Sequence, residues 1–192
     1  MKKFELTAEY VTTILDKKLF RIKALVAFGD VEKGELGGFV EKESNLDNDG
    51  DAWVYGDARV YGDARVCGDA RVCGNARVYG NAQVYGDAMV CGNARVCGDA
   101  RVCGNAQVYG DMDYAVAGGF GSTQRTTTFF RLSDGSVGVK CGCFYGTLDE
   151  FRAKVKETHK DSKYAQEYLM IADLMKLHFA GGSNGTEDGE NQ

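Results

Sequence analysis

The chain has 192 residues, of which 44% are hydrophobic and 27% charged, a composition that suits one or two folded domains and excludes disorder of the whole. Glycine is abundant at 26 residues and proline is absent, yet glycine keeps no strict three-residue period, so neither a collagen nor a proline-rich linker fits. A net charge of -5 argues against a protein held to nucleic acid mainly through phosphates, and no such partner is expected.

The start, Met1-Lys2-Lys3-Phe4-Glu5, runs into an acidic residue and not into an apolar core, and no run of about 18 apolar residues occurs. Neither a membrane span nor a secretory signal is expected, and the expected location is the cytoplasm. Phe4-Glu5-Leu6 and Leu19 to Leu25 read as extended pieces of a strand-rich cap over residues 1–35. Leu36-Gly37-Gly38-Phe39-Val40 and Leu46, six residues after Val40, read as a degenerate first coil, with a two-residue offset before Val54.

From Gly50 to Gly110 the sequence repeats every six residues as Gly-[Asp/Asn]-Ala-x-Val-[Tyr/Cys]. In an extended chain, alternation sends Ala and Val to one face and x and Tyr/Cys to the other, so Ala and Val form the expected core. Gly-Asp and Gly-Asn tolerate positive φ and turn the chain between short strands; three such turns close a triangular coil of about 18 residues. On that count Arg59, Arg77 and Arg95 stack on one outer face. Arg65, Gln83 and Arg101 stack on a second, and Trp53, Arg71, Met89 and Gln107 on the third. Outward Tyr and Cys accompany them, among them Tyr61 and Tyr79. Arg59, Arg77, Arg95, Tyr61 and Tyr79 are candidate subunit contacts, since Tyr and Arg favour interfaces; the alternative is a solvated ladder with Arg-Asp pairing.

Seven cysteines, five of them interchangeable with tyrosine in the repeat, are not spaced as a disulfide framework or a zinc site, and all seven are expected as reduced thiols. No metal and no cofactor are expected.

The period stops after Tyr109, and residues 36–111 are the expected repeat domain, with a second domain over 112–180. Arg125 to Leu132 and Val137 to Cys141 flank Ser133-Asp134-Gly135-Ser136 as a β-hairpin. Thr147-Leu148-Asp149-Glu150 matches a capping box opening a helix to about Thr158, and Lys163 to Phe179 reads as a second helix. The glycine-rich, acidic stretch 181–192 is expected to be disordered. Gly118 to Thr128 offers small residues, hydroxyls and an arginine, the groups that hold a phosphate or carboxylate. Ser122, Arg125 and Thr126, with Lys140 across the hairpin, are therefore the candidate ligand-binding residues; a hinge leading into a threonine-rich strand is the alternative. Cys143 and His159 are candidates for a nucleophile and base, while a solvated cation at a helix end is the plainer reading of His159, and of His178.

The hexads resemble the hexapeptide-repeat left-handed parallel β-helix, whose motif pairs an aliphatic residue with a small one two before it. The expected fold is therefore mainly β, a left-handed β-helix with an N-terminal strand cap and a small C-terminal α+β domain. The resemblance implies a homo-oligomer, a trimer above all. Many enzymes of that family use histidine on a coil, and the hexads contain none, so no catalytic residue is assigned. The whole chain also resembles a group of phage and prophage proteins. The residues that carry this are Leu36 to Glu41, Ala52-Trp53-Val54, Gly121-Ser122 with Arg125 to Phe130, and Cys141 to Phe151. That resemblance implies origin and layout. The functional expectation is a non-catalytic binding protein that sequesters a nucleotide-derived signal, a phosphorylated small molecule, or blocks a host defence protein. An enzyme acting through the C-terminal domain and a purely structural oligomer are the alternatives.

Overall fold

The strands of the repeat are two residues long, because each hexad allows only an x-Val pair between consecutive turns. In the computed structural model, which describes residues 2–180, ten of them follow one another. They are β4 (Trp53–Val54), β5 (Arg59–Val60), β6 (Arg65–Val66), β7 (Arg71–Val72) and β8 (Arg77–Val78), then β9 (Gln83–Val84), β10 (Met89–Val90), β11 (Arg95–Val96), β12 (Arg101–Val102) and β13 (Gln107–Val108). Each of β4 to β10 pairs in parallel with the strand three positions on, so Arg59, Arg77 and Arg95 are in register, as are Arg65, Gln83 and Arg101, and Trp53, Arg71, Met89 and Gln107. The repeat is a three-faced β-solenoid with every Ala from Ala52 to Ala106 and every Val from Val54 to Val108 fully buried. Gly62 shows why glycine opens each hexad: its φ is 71°, and a Cβ there would lie 3.1 Å from the carbonyl oxygen of Gly80 in the next coil.

The degenerate coil is present. Strand β3 (Leu36–Val40) pairs with β5, Phe39 facing Arg59 and Val40 facing Val60, and Leu46 bridges to Val66, so the offset of two residues falls between Leu46 and Val54. The cap in front of it is larger than two short pieces. β1 (Phe4–Thr12) and β2 (Lys18–Ala24) form an antiparallel hairpin that continues the first solenoid face into one six-stranded sheet, β1-β2-β3-β5-β8-β11. The polar residues of Glu5 to Thr12 conceal this strand in the sequence, because both of its faces are largely exposed.

Two outward assignments need correction. Trp53 leaves the prism on its outer face but is wholly buried, because the cap puts the rings of Phe28 and Phe4 edge-on to it at 5.4 and 6.3 Å. Cys73 and Cys91 are joined by a disulfide, not reduced: they hold the same position in consecutive coils, where stacking brings their Cα atoms to 4.5 Å. The other five cysteines are free.

A solenoid ends in unpaired backbone groups, carbonyls at one end and amides at the other, and each end has its own chemistry. At the N-terminal end side-chain donors serve the carbonyls: Lys3 Nζ donates to Gly50 O and Ala52 O at 3.1 and 2.9 Å, and Asn45 Nδ2 to Gly62 O and Ala64 O at 3.0 and 2.8 Å. At the C-terminal end side-chain acceptors serve the amides. Arg95 N donates to Asp111 Oδ1 at 2.8 Å, Arg101 N to Thr128 Oγ1 at 2.9 Å and Tyr109 N to Asp113 Oδ2 at 3.0 Å.

Beyond the solenoid, β14 (Tyr114–Phe120), β15 (Arg125–Arg131), β16 (Val137–Cys141) and β17 (Phe144–Thr147) form an antiparallel sheet in that order, followed by α1 (Leu148–His159) and α2 (Lys163–His178). Thr147 caps α1 through a reciprocal pair with Glu150, as the capping box predicts. One face of the sheet plugs the prism: Phe130 and Leu132 join the core of stacked valines. The other face receives the helices, with Phe129 and Val139 against Phe151, Val155, Tyr168 and Ala172. The stretch expected to be disordered, 181–192, lies outside the described residues.

Candidate functional site

The glycine-rich junction is not a loop. Gly118 and Gly119 belong to β14, and Gly121 to Gln124 make the turn of a hairpin closed by the pairing of Phe120 with Arg125. Its backbone is partly used by the protein itself, since Gly121 N donates to Glu167 Oε2 of α2 at 2.9 Å.

Strand alternation then divides the four candidate ligand-binding residues. Arg125 shares its parity with Thr127 and Phe129 and reaches the helix side. Thr128 faces the solenoid, and Lys140, its register partner, lies on that side with it. Ser122 and Arg125 therefore line a cavity of about 290 Å³ on the helix side. Thr126 lines a separate space of about 500 Å³ with Asp99, Arg101, Gly142 and the other flank of Arg125, and Lys140 lines neither. The four candidates do not all share one space: Ser122 and Arg125 line the helix-side cavity, and Arg125 and Thr126 the other.

The cavity on the helix side draws on four elements. The β14–β15 hairpin supplies Ser122, Thr123 and Arg125, and the β16–β17 hairpin supplies Cys141, Cys143 and Phe144. Helix α1 contributes Phe151, Lys154, Val155, Thr158 and His159, and α2 contributes Tyr168. Its floor is aromatic: Phe151 meets Phe129 and Tyr168 edge-on at 6.1 and 5.7 Å, and Phe144 at 5.6 Å. Its rim carries the cations Arg125 and Lys154, with His159 beside them, and among the described residues no Asp or Glu lines it.

Local packing sets each of these groups. Arg125 lies across Gly142, whose φ of 57° and missing Cβ leave room for the guanidinium. His159 is half-buried, its ring 5.6 Å from that of Tyr168, so it is a packed member of the cavity wall. Burial, with the neighbouring Cys141 adding to it, pushes the Tyr168 phenol up to about 12 despite Arg125, so this hydroxyl keeps its proton across the neutral range. Thr127 Oγ1 donates to Cys141 Sγ at 3.1 Å, while Cys143 is exposed.

The structure thus brings Ser122, Arg125, Cys143 and His159, singled out for two different reasons, to one cavity. Lys154, Thr158, Phe144 and Tyr168 were missed. They lie on three separate elements, and only the docking of α1 and α2 on the sheet gathers them. Among the outward repeat residues, Arg59, Arg77 and Tyr61 line a cleft against the β1–β2 turn, Tyr61 and Tyr79 stack at 5.1 Å with planes 3° apart, and Arg95 stays exposed.

Residues 52–68, 70–84, 82–98 and 94–110 match the YdcK Beta solenoid repeat family. The matched segments are the regular coils, and the cavity lies outside them. No curated protein matches the chain.

Proposed function

We propose that the protein is a non-catalytic binding protein whose C-terminal cavity holds a small anionic molecule with a planar or apolar part. One observation carries this reading: in a chain of net charge -5, Arg125 and Lys154 share a cavity that no acidic residue lines among the described residues. Arg125 offers a two-donor fork to a phosphate or carboxylate, Ser122 and Thr123 add hydroxyls, and the Phe144, Phe151 and Tyr168 rings offer the apolar wall. A nucleotide-derived ligand satisfies both halves of that description. Its withdrawal from a host defence, as a phage sponge would do, is the biological role we attach to it through the resemblance given above. The experiment is mass spectrometry of small molecules retained by the purified protein, followed by calorimetric titration of wild type and Arg125→Ala with cyclic and ADP-ribose-type nucleotides. Retention of a nucleotide and loss of about 1–3 kcal/mol of binding in the variant are expected. Equal affinity in both proteins removes Arg125 from the site.

A second reading has its own observation. Cys143 and His159 line the same cavity, and they are the residue types that a thiol nucleophile and its base use. Ligand recovered chemically altered after incubation with wild type, and intact after incubation with Cys143→Ser, would favour it. We also read the solenoid as left-handed and the assembly as a trimer, both on the hexapeptide form of the repeat; light scattering that gives a monomer of about 21 kDa rejects the trimer.

A further inference from the structure

The β1–β2 hairpin overhangs the first solenoid face beyond its last pairing with β3. Its turn is held by Thr13 N donating to Lys17 O and Asp16 N to Thr13 O, at 2.9 and 3.0 Å. It carries two large apolar side chains into the open, Ile14 at 96% and Leu15 at 82% exposure. Between this tip and the coils lies a cleft of about 400 Å³, with Ile14, Leu15 and Tyr61 as its apolar part and Lys17, Arg59 and Arg77 as its cations, and among the described residues no acidic one lines it.

The cations differ in what they already hold. Lys17 is paired with Glu41 at 3.0 Å. Arg59 and Arg77 stand in register one coil apart, about 4.8 Å, and among the described residues neither forms a salt bridge. Arg71, outward on another face, does have its carboxylate, Asp30 at 3.3 Å. Two like charges at one strand spacing repel, and a single anionic head between them satisfies both. Both are half-buried, whereas Arg95, one coil further and outside the cleft, is exposed.

We infer that the cleft between the β1–β2 turn and the Arg59–Arg77 pair is a binding site for an amphiphilic organic anion, its phosphate or sulfonate head on the two guanidiniums and its apolar body against Ile14, Leu15 and Tyr61. This site is separate from the C-terminal cavity and stands without it. The dimensions fit a small molecule, and the concave wall, apolar on one side and cationic on the other, matches a ligand with the same division.

The probe is naphthyl phosphate, titrated calorimetrically into Arg125→Ala protein so that the C-terminal arginine contributes nothing, with inorganic phosphate and naphthol as head-only and body-only controls. Saturable binding of naphthyl phosphate, tighter than either control, is expected. It should weaken about tenfold or more in Arg59→Gln/Arg77→Gln and in Ile14→Ser/Leu15→Ser. All four positions are outward, and circular dichroism checks that the variants fold. Absence of saturable binding at millimolar probe, or equal binding in both double variants, overturns the site. If light scattering shows instead that either variant dissociates an oligomer, the cleft is a contact between copies of this chain and the inference fails in that way.

Discussion

Gly121 gives its N–H to the carboxylate of Glu167 at 2.9 Å, tying the β14–β15 turn to α2 at the edge of the candidate cavity. Gly121 is buried at a φ of 73°, and a Cβ there would run into the Tyr168 ring. One residue thus combines a left-handed backbone, an anchored amide and close contact with an aromatic wall. Gly121→Ala should cost about 1–3 kcal/mol, measured by urea denaturation, and should loosen ligand binding with it. An unchanged midpoint would show that the turn adapts.

Val78→Asp tests the solenoid. Val78 is fully buried in β8, between Val60 and Val96 of the adjacent coils, and a carboxylate there has neither partner nor water. A loss of several kcal/mol is expected, roughly 3 or more, read as a lower melting temperature. A wild-type melting curve would contradict the buried ladder.

The Cys73–Cys91 disulfide closes a loop one coil long, a sequence separation of 18. Chain-entropy arguments put its contribution near ~3 kcal/mol. Cys73→Ser/Cys91→Ser should therefore melt earlier than the oxidised protein, and thiol titration under denaturing, non-reducing conditions should count five thiols, rising to seven after reduction. Seven thiols before reduction would place both cysteines back among the reduced ones.

Alkaline pH should unfold the protein through its phenols. Burial raises the pKa of Tyr114, Tyr55 and Tyr85, and pushes Tyr168 up to about 12. A group raised in the folded state stabilises it fully below the ordinary tyrosine value near 10, and that contribution disappears as pH climbs through the folded value. Stability should fall from about pH 10 upward, with ultraviolet titration showing late, cooperative ionisation. Tyr168→Phe should flatten part of that decline. Simple titration of all phenols near pH 10 without unfolding would show that they are not held by burial.

The repeat and its register were legible in the sequence, down to which arginines stack on which, because a six-residue period with Ala and Val two apart leaves one way to bury both. The same local logic gave the capped α1 and the β15–β16 hairpin, whose signals are contiguous in the chain. The closing of the two ends was not legible. That Lys3 and Asn45 serve carbonyls while Asp111, Asp113 and Thr128 serve amides depends on where distant segments fold back, and polar residues at those positions read as ordinary surface. Trp53 is buried, and Cys73 is bonded to Cys91, through neighbours that only stacking or the cap supplies. Cys143, His159, Arg125 and Ser122 were each visible as reactive or polar types, but their meeting in one cavity was decided by two helices packing on one face of a sheet. Thr126 and Lys140 lie outside that cavity, since the two-residue period of a strand sends them to the side opposite Thr127 and Cys141.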